Sequence, residues 1–255
     1  MTSAFGKTLD GKTLVLVTRA GEPGRQLTRR IHDAGLSAMA CPPIALVGPE
    51  DPQKAREDLD RLLPADRVVV TSGEALRQAV SLVGAERFGD RPVIVPGPGT
   101  AARARTLGLE CVVHPPHGGD SEAMLALEEL TSVRDLRVLI LAAAGGRELL
   151  QRELARRGAR VDRLHVYRRL PVPLPAELDA RVAEAGATIT LAASLGALEA
   201  LQMRLDCAAG AKLRSGVVIV PSVRAADGAR AMGWTRVVQA GGADDAAMLE
   251  ALGNL

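Results

Sequence analysis

VIVPGPGTAARARTLG at Val93–Gly108 and VIVPSVRAADGARAMG at Val218–Gly233 are one stretch written twice. They lie 125 positions apart and align without a gap, with eight of sixteen residues identical: the VIVP run, Ala101/Ala226, Ala104/Ala229, Arg105/Arg230 and Gly108/Gly233. Each copy reads as a buried strand, a proline-marked turn, a short helix and a glycine stop. The likeness extends outward. TSGEALRQAV at Thr71–Val80 aligns with ASLGALEALQ at Ala193–Gln202, and Leu14–Gly35 aligns loosely with Val138–Gly158. AML recurs at Ala123–Leu125 and Ala247–Leu249. The period far exceeds the ~20–50 residues of a solenoid repeat, so the duplicated unit has the size of a domain. A chain built of two similar halves commonly carries its site between them.

Short β-branched runs alternate with helical stretches, the pattern of parallel sheets wrapped by helices. The spacing predicts strands at Thr13–Thr18, Arg67–Thr71, Pro92–Val95, Arg137–Leu141, Thr188–Leu191 and Val217–Val220. Helices are predicted at Gly24–Ala34, Gly73–Val83, Thr100–Leu107, Ser121–Glu129, Gly146–Arg157, Leu195–Leu205, Ala225–Met232 and Asp245–Leu252, several ending on glycine. Ser37–Val47 and Arg160–Leu170 read as extended and break the rhythm, with Pro42–Pro43 and the PVPLP cluster at Pro171–Pro175 as stiff punctuation. They are taken as two crossings between domains, which makes one domain discontinuous. The expected division is residues 1–36 plus 171–255 for the first α/β domain and 48–158 for the second, with 37–47 and 159–170 connecting them.

Composition narrows the chemistry. Of 255 residues, 47% are apolar but only 2% aromatic, so the core must be Val, Leu, Ile and Ala. The net charge of +2 is spread along the chain without a basic block, and stacking aromatics are scarce. Both facts argue against a nucleic-acid binder. Cys41, Cys111 and Cys207 are scattered without CxxC spacing and suit a reducing compartment. No apolar run approaches the ~18 residues of a membrane span, and the N-terminus lacks a signal-peptide core, so a cytoplasmic protein is expected.

Strand-to-helix turns are where such folds hold anions, because helix N-termini aim free N–H groups outward. The chain offers a set of them: Thr18–Arg19, Thr71–Ser72–Gly73, Gly97–Pro98–Gly99–Thr100, Gly118–Gly119–Asp120–Ser121, Ala144–Gly145–Gly146–Arg147, Ser194 and Pro221–Ser222. Any one of these is explained by helix capping alone; the full set points to a polyanionic ligand. Other signals are weak. His114-x-x-His117 has no third ligand nearby, so no metal is expected. GPGTAA at Gly97 is half of a dinucleotide fingerprint and lacks its acidic partner, so no nucleotide cofactor is expected. Tyr167, the single tyrosine, reads from its position as an edge-strand residue with a buried ring and a wet hydroxyl.

Taken in order, these pieces resemble the uroporphyrinogen-III synthase family. They are LVLVTR with Gln26, Pro42–Ile44, VVVTSGEAL at Val68–Leu76, VPGPGTA at Val95–Ala101 and GGDSEAML at Gly118–Leu125. Ala143–Arg169, the Ser194 turn and VIVPSVRAADGARAMG complete the set. The resemblance spans essentially the whole chain. It implies two α/β domains joined by a two-stranded antiparallel ladder of Ser37–Val47 against Arg160–Leu170, with the active site in the cleft. It implies a cofactor-free dehydrating cyclisation of hydroxymethylbilane, a linear tetrapyrrole with eight carboxylates, to uroporphyrinogen III with inversion of ring D. Tyr167 matches the family's tyrosine and is assigned to loss of the hydroxyl. Arg19, Thr71, Ser72, Gly73, Gly97, Gly99, Thr100, Ser121, Gly145, Gly146, Ser194 and Ser222 are the expected substrate-binding positions. A monomer is expected, with hand-over of substrate from hydroxymethylbilane synthase. The chain departs from the family at Ala193–Ser194, where one hydroxyl is missing, and at Pro221–Arg224, where adjacent threonines are replaced. The competing reading is a non-catalytic two-lobed binding regulator of the same fold.

Overall fold

A computed structural model describes residues 12–116, 120–146 and 148–255. Its strands are β1 (Thr13–Val17), β2 (Ser37–Ala40), β3 (Ile44–Val47), β4 (Arg67–Val70), β5 (Val93–Ile94), β6 (Val112–Val113), β7 (Arg137–Ala143), β8 (Arg160–Pro171), β9 (Ala187–Leu191), β10 (Val217–Val220) and β11 (Arg236–Gln239). Its α-helices are α1 (Gly21–Asp33), α2 (Pro52–Leu62), α3 (Gly73–Val83), α4 (Pro98–Thr106), α5 (Ser121–Leu125), α6 (Glu128–Thr131), α7 (Leu149–Arg156), α8 (Leu178–Glu184), α9 (Leu195–Gln202), α10 (Cys207–Ser215), α11 (Val223–Ala231) and α12 (Asp245–Gly253). The chain divides into two compact units: a split unit of Met1–Ala45 with Leu170–Leu255, and a continuous unit of Leu46–Arg169.

In the split unit the sheet order is β11-β10-β9-β1-β2, every pairing parallel. The continuous unit has the order β3-β8-β7-β4-β5-β6, parallel from β8 to β6. Apart from β3, the two orders correspond strand for strand: β1 with β7, β2 with β8, β9 with β4, β10 with β5, β11 with β6. The split unit thus joins the opening strands of one repeat to the closing strands of the other. The repeat is also kept at single residues. Gly108 and Gly233 end their helices with φ of 93° and 92°, and Gly35 and Gly158 both with 89°. These left-handed values favour glycine, which explains its recurrence there.

Strand alternation feeds two cores in each unit. In the continuous unit Val68 and Val70 face one side with Leu59, Leu76 and Phe88. Val69 faces the other, with Met124, Leu150 and Leu154. In the split unit Leu14 and Leu16 pack with Leu198, Leu213 and Trp234, while Val15 and Val17 pack with Leu27, Ile31 and Met248. A parallel sheet covered on both faces needs such unbroken apolar strands. With so few aromatics, Phe88 and Tyr167 in one core and Trp234 in another are the large anchors among aliphatic residues.

Several expectations need correction. Ser37–Val47 is two strands, not one connection: β2 belongs to the split unit's sheet and β3 to the other, with the break at Cys41–Pro42–Pro43. β8 is likewise more than a connector, since its residues Arg160 to Tyr167 pair with β7. Ser121–Glu129 is interrupted at Leu127, whose backbone is extended. The helix expected from Gly146 begins at Leu149. Helices α2, α8 and α10 and the short strands β6 and β11 fall outside the elements expected from sequence. Helix α2 buries only Ala55 and Leu59, a signal too sparse for periodicity. Its start is nonetheless written in Asp51, which caps the Lys54 amide, and in Pro52 at the first turn.

Candidate active site

Because β7, β4 and β5 run parallel, the turns that leave them gather at one end of the continuous unit. Ser72 caps α3, accepting from the Ala75 amide at 3.1 Å. Thr71 is spent on structure: its hydroxyl donates to the Leu141 carbonyl at 3.1 Å, clamping β4 to β7. Gly73 faces the neighbouring turn, and a Cβ placed there would stand 3.7 Å from Thr100 Oγ1. Gly97 is buried and extended, and α4 has no side-chain cap, so the first turn around Gly99 and Thr100 keeps its amide donors for other partners. After β7, Gly145 has φ of 70°. Gly146 is pinned through its carbonyl by Arg163 Nη2 at 2.9 Å. Burial and the Arg163 charge together hold His165 below its ordinary pKa, burial being the larger cause. Ser121 opens α5, whose cap is Asp120. His117, Gly118, Gly119 and Arg147 lie outside the described residues.

Tyr167 departs from its expected setting. β8 lies between β3 and β7, so Tyr167 is not on an edge strand, and it is only 2% exposed. Its register explains how it is aimed. Ala142 pairs with His165 but Ala143 pairs with Tyr167, a bulge that inserts Val166 as an extra residue. Val166 and Tyr167 therefore both join the core beside α3, where strict alternation would have sent one of them to the opposite face. The hydroxyl meets Ser72 Oγ at 3.2 Å and accepts from Arg169 Nη2 at 3.2 Å. The same guanidinium lies over the ring, 5.7 Å from its centre. Turn signals bring Thr71, Ser72, Gly73 and Thr100 into view, and the family resemblance brings Tyr167. Arg169 escapes sequence reasoning, because a second arginine in an arginine-rich strand carries no motif.

The split unit presents its own turns at the carboxyl ends of β1, β9 and β10. Thr18 is buried; its hydroxyl donates to the Leu191 carbonyl and accepts from the Ala193 amide. Arg19 pairs with Asp245 at 3.2 Å and donates to the Ala243 carbonyl, which ties the end of β1 to the start of α12. Gly24 lets the first turn of α1 close on the Arg19 backbone, since a Cβ there would fall 1.9 Å from the Arg19 carbonyl oxygen. Ser194 and Ser222 cap α9 and α11 by accepting from Ala197 and Ala225. Cys41 follows β2, the strand equivalent to β8; burial pushes its thiol up to about 12, the behaviour of an inert core residue. A cavity of about 350 Å³ lined by Thr188, Lys212 and Arg236 lies at the opposite, amino ends of these strands, away from the helix N-termini. No helix among the described residues is long and apolar enough to cross a membrane, and no group of three or more metal-ligating side chains converges among them.

Comparison with known proteins identifies the family. A family model described as uroporphyrinogen-III synthase HemD matches residues 25–250. The chain is 30% identical to a Salmonella typhimurium uroporphyrinogen-III synthase over 93% of its own length and 99% of that protein. It is 33% identical to one from Proteus mirabilis over 61% of its length and 80% of that protein. In fold it is similar to a crystallised uroporphyrinogen III synthase mutant from Thermus thermophilus, at a TM-score of 0.62 and 19% identity, covering 93% of this chain and 96% of that one. It is also similar to the Helicobacter pylori protein, at a TM-score of 0.54 and 13% identity, covering 93% and 96%. With the family model spanning nearly all of a chain that folds as two α/β units, the chain belongs to the uroporphyrinogen-III synthase family.

Proposed function

We propose that the chain closes hydroxymethylbilane to uroporphyrinogen III, with Tyr167 assisting departure of the hydroxyl. The observation that carries this is the placement of the only tyrosine beside Ser72, at the end of the sheet where the uncapped α4 turn also opens. The reaction is redox-neutral: a C–O bond breaks, water leaves with the phenol's proton, and a carbon electrophile remains. Ring D is then attacked at its substituted carbon, rearranges through a spiro intermediate, and the macrocycle closes with release of a proton. Such a sequence needs proton assistance and positioning, and no external electron source.

Eight carboxylates must be held while the chain folds on itself. Backbone amides at helix starts suit this task, because they donate without bringing a competing counter-ion. We assign the carboxylates to Gly73, Gly97, Gly99, Thr100, Ser121, Gly145 and Gly146 in the continuous unit, and to Arg19, Ser194 and Ser222 in the split unit. Thr71 and Ser72 set the turn geometry. Arg19 must leave Asp245 to contribute, so its share is small. Fixing the reacting carbons in an attack geometry is the larger part of the catalysis. The reading includes a cytoplasmic monomer that receives its substrate by transient hand-over from hydroxymethylbilane synthase.

The test is an isomer assay. Freshly generated hydroxymethylbilane is supplied and the oxidised products are separated. The type III isomer is expected in excess; type I alone, the product of spontaneous closure, would overturn the reading. Tyr167→Phe is expected to lower turnover by ~10²–10⁴-fold, the range of general acid assistance, with little change in thermal stability.

A further inference from the structure

We propose that Arg169 is a positioning residue for Tyr167, directing the phenol's proton toward substrate and stabilising the phenolate left behind. The inference rests on the reading of Tyr167 as the proton donor. Three observations meet here. A guanidinium can only donate, so the 3.2 Å contact from Arg169 Nη2 occupies one lone pair of the Tyr167 oxygen and keeps the phenolic proton from pointing that way. Ser72 Oγ already accepts the Ala75 amide, yet it retains a hydroxyl proton that can be donated to Tyr167 at 3.2 Å. When Arg169 and Ser72 both donate, the phenol's own proton is left for the substrate's hydroxyl.

The third observation is burial. Tyr167 is 2% exposed whereas Arg169, stacked on its ring, is exposed. A phenolate formed in that setting has little water to solvate it, so a fixed positive charge already in hydrogen-bond contact becomes its main stabilisation. The step balances. The Tyr167 O–H bond breaks as the substrate C–O bond breaks, and the proton leaves in the water formed. The phenolate then recovers a proton from the one released on ring closure. The split unit has no counterpart of this pair, because Tyr167 is the only tyrosine of the chain.

A double-mutant cycle tests it with the full-length protein and hydroxymethylbilane, reading kcat and KM separately. Arg169→Met is expected to lower kcat about 10–100-fold with KM changed less than about threefold, and Arg169→Lys to recover most of the loss. In a Tyr167→Phe background, Arg169→Met should cost less than about twofold, since its partner is gone. Equal losses in both backgrounds, or a loss confined to KM, would overturn the proposal by making Arg169 a substrate contact or a structural residue. Full activity of Tyr167→Phe would overturn it as well, while continued formation of the type III isomer would leave the synthase reading standing. Because Arg169 is exposed, its variants should melt within a few degrees of the parent, and a melt outside that range would assign it a structural role instead.

Discussion

The turn after β4 and the turn after β9 begin alike and end differently. Ser72 and Ser194 hold nearly the same backbone, φ −166° and ψ 159° against φ −168° and ψ 166°, and each caps the amide three residues on at 3.1 Å. The next residue diverges. Gly73 leaves space in front of Thr100 Oγ1, whereas Leu195 fills the equivalent place and presses on Gly228 of α11, where a Cβ would lie 2.4 Å from it. The adjoining turns follow suit: Gly97–Pro98–Gly99–Thr100 has no side-chain cap, while Ser222 caps its helix and Val223 is 59% exposed. One duplicated frame has been kept polar in the continuous unit, and lined with aliphatic side chains in the split unit. Backbone capping is thus the shared, structural part of the motif, and the residue after the serine sets how much polar surface the turn presents.

Exchanging that residue should break the comparison most visibly. Gly73→Leu is expected to lower turnover ~100-fold, the scale of loss from displaced reactants, while the melting temperature stays within a few degrees. Leu195→Gly should do the reverse, losing about 2–3 kcal/mol of stability in denaturant melts with kcat near the parent value. If both changes acted only on stability, the continuous unit's turn would have no claim to the substrate.

Removing the shared part should sharpen the contrast. Ser72→Ala and Ser194→Ala each lose a helix cap and should each cost about 1 kcal/mol. Only Ser72→Ala also takes a partner from Tyr167, so it alone should slow turnover, by about tenfold. Equal kinetic effects would erase the distinction between the units.

The smallest expected difference lies in acid stability. Arg156 first and Arg157 second hold Glu153 of α7 down to about 2, and Arg29 and Arg25 lower Glu22 of α1 in the same sense. A carboxyl depressed on folding contributes fully above its unfolded value of ~4.3 and loses that contribution as pH falls toward the folded value. Glu153→Gln should therefore flatten the fall of melting temperature between about pH 5 and 2, and Glu22→Gln should flatten it less. The difference has a physical source: Glu153 is 21% exposed and its second partner, Arg157, also anchors the Leu125 and Leu130 carbonyls, whereas Glu22 is 48% exposed and both its partners are 61% exposed.

Much of this is legible in the sequence. Runs such as Val68–Val70 and Val217–Val220 are strands buried on both faces, and β-branched content alone identifies them. The serine caps and glycine stops are readable because each solves a local problem of unpaired backbone groups. Pairs of residues such as Val112–Val113 offer no period to detect. The Pro42–Pro43 break reads as punctuation, but which sheet each flanking strand joins is a long-range matter. The setting of Tyr167 is illegible for a related reason: a one-residue bulge opposite Ala142 and Ala143 depends on the register of two strands, and it reverses what alternation implies. Arg169 becomes visible only once that register is known.

The exchange of strands between the repeats also sets an order of events during synthesis. Every strand of the continuous unit's parallel core has been made once residue 171 leaves the ribosome. β1, in contrast, must wait for β9, since Thr13 pairs with Ala187. At 5–20 residues per second, its apolar Leu14–Val17 edge stays uncovered for on the order of ten seconds or more. A nascent chain of this kind carries a finished lobe and a β1–β2 pair with one open apolar edge together, which makes that edge, rather than the finished lobe, the segment that a ribosome-associated chaperone would have to shield.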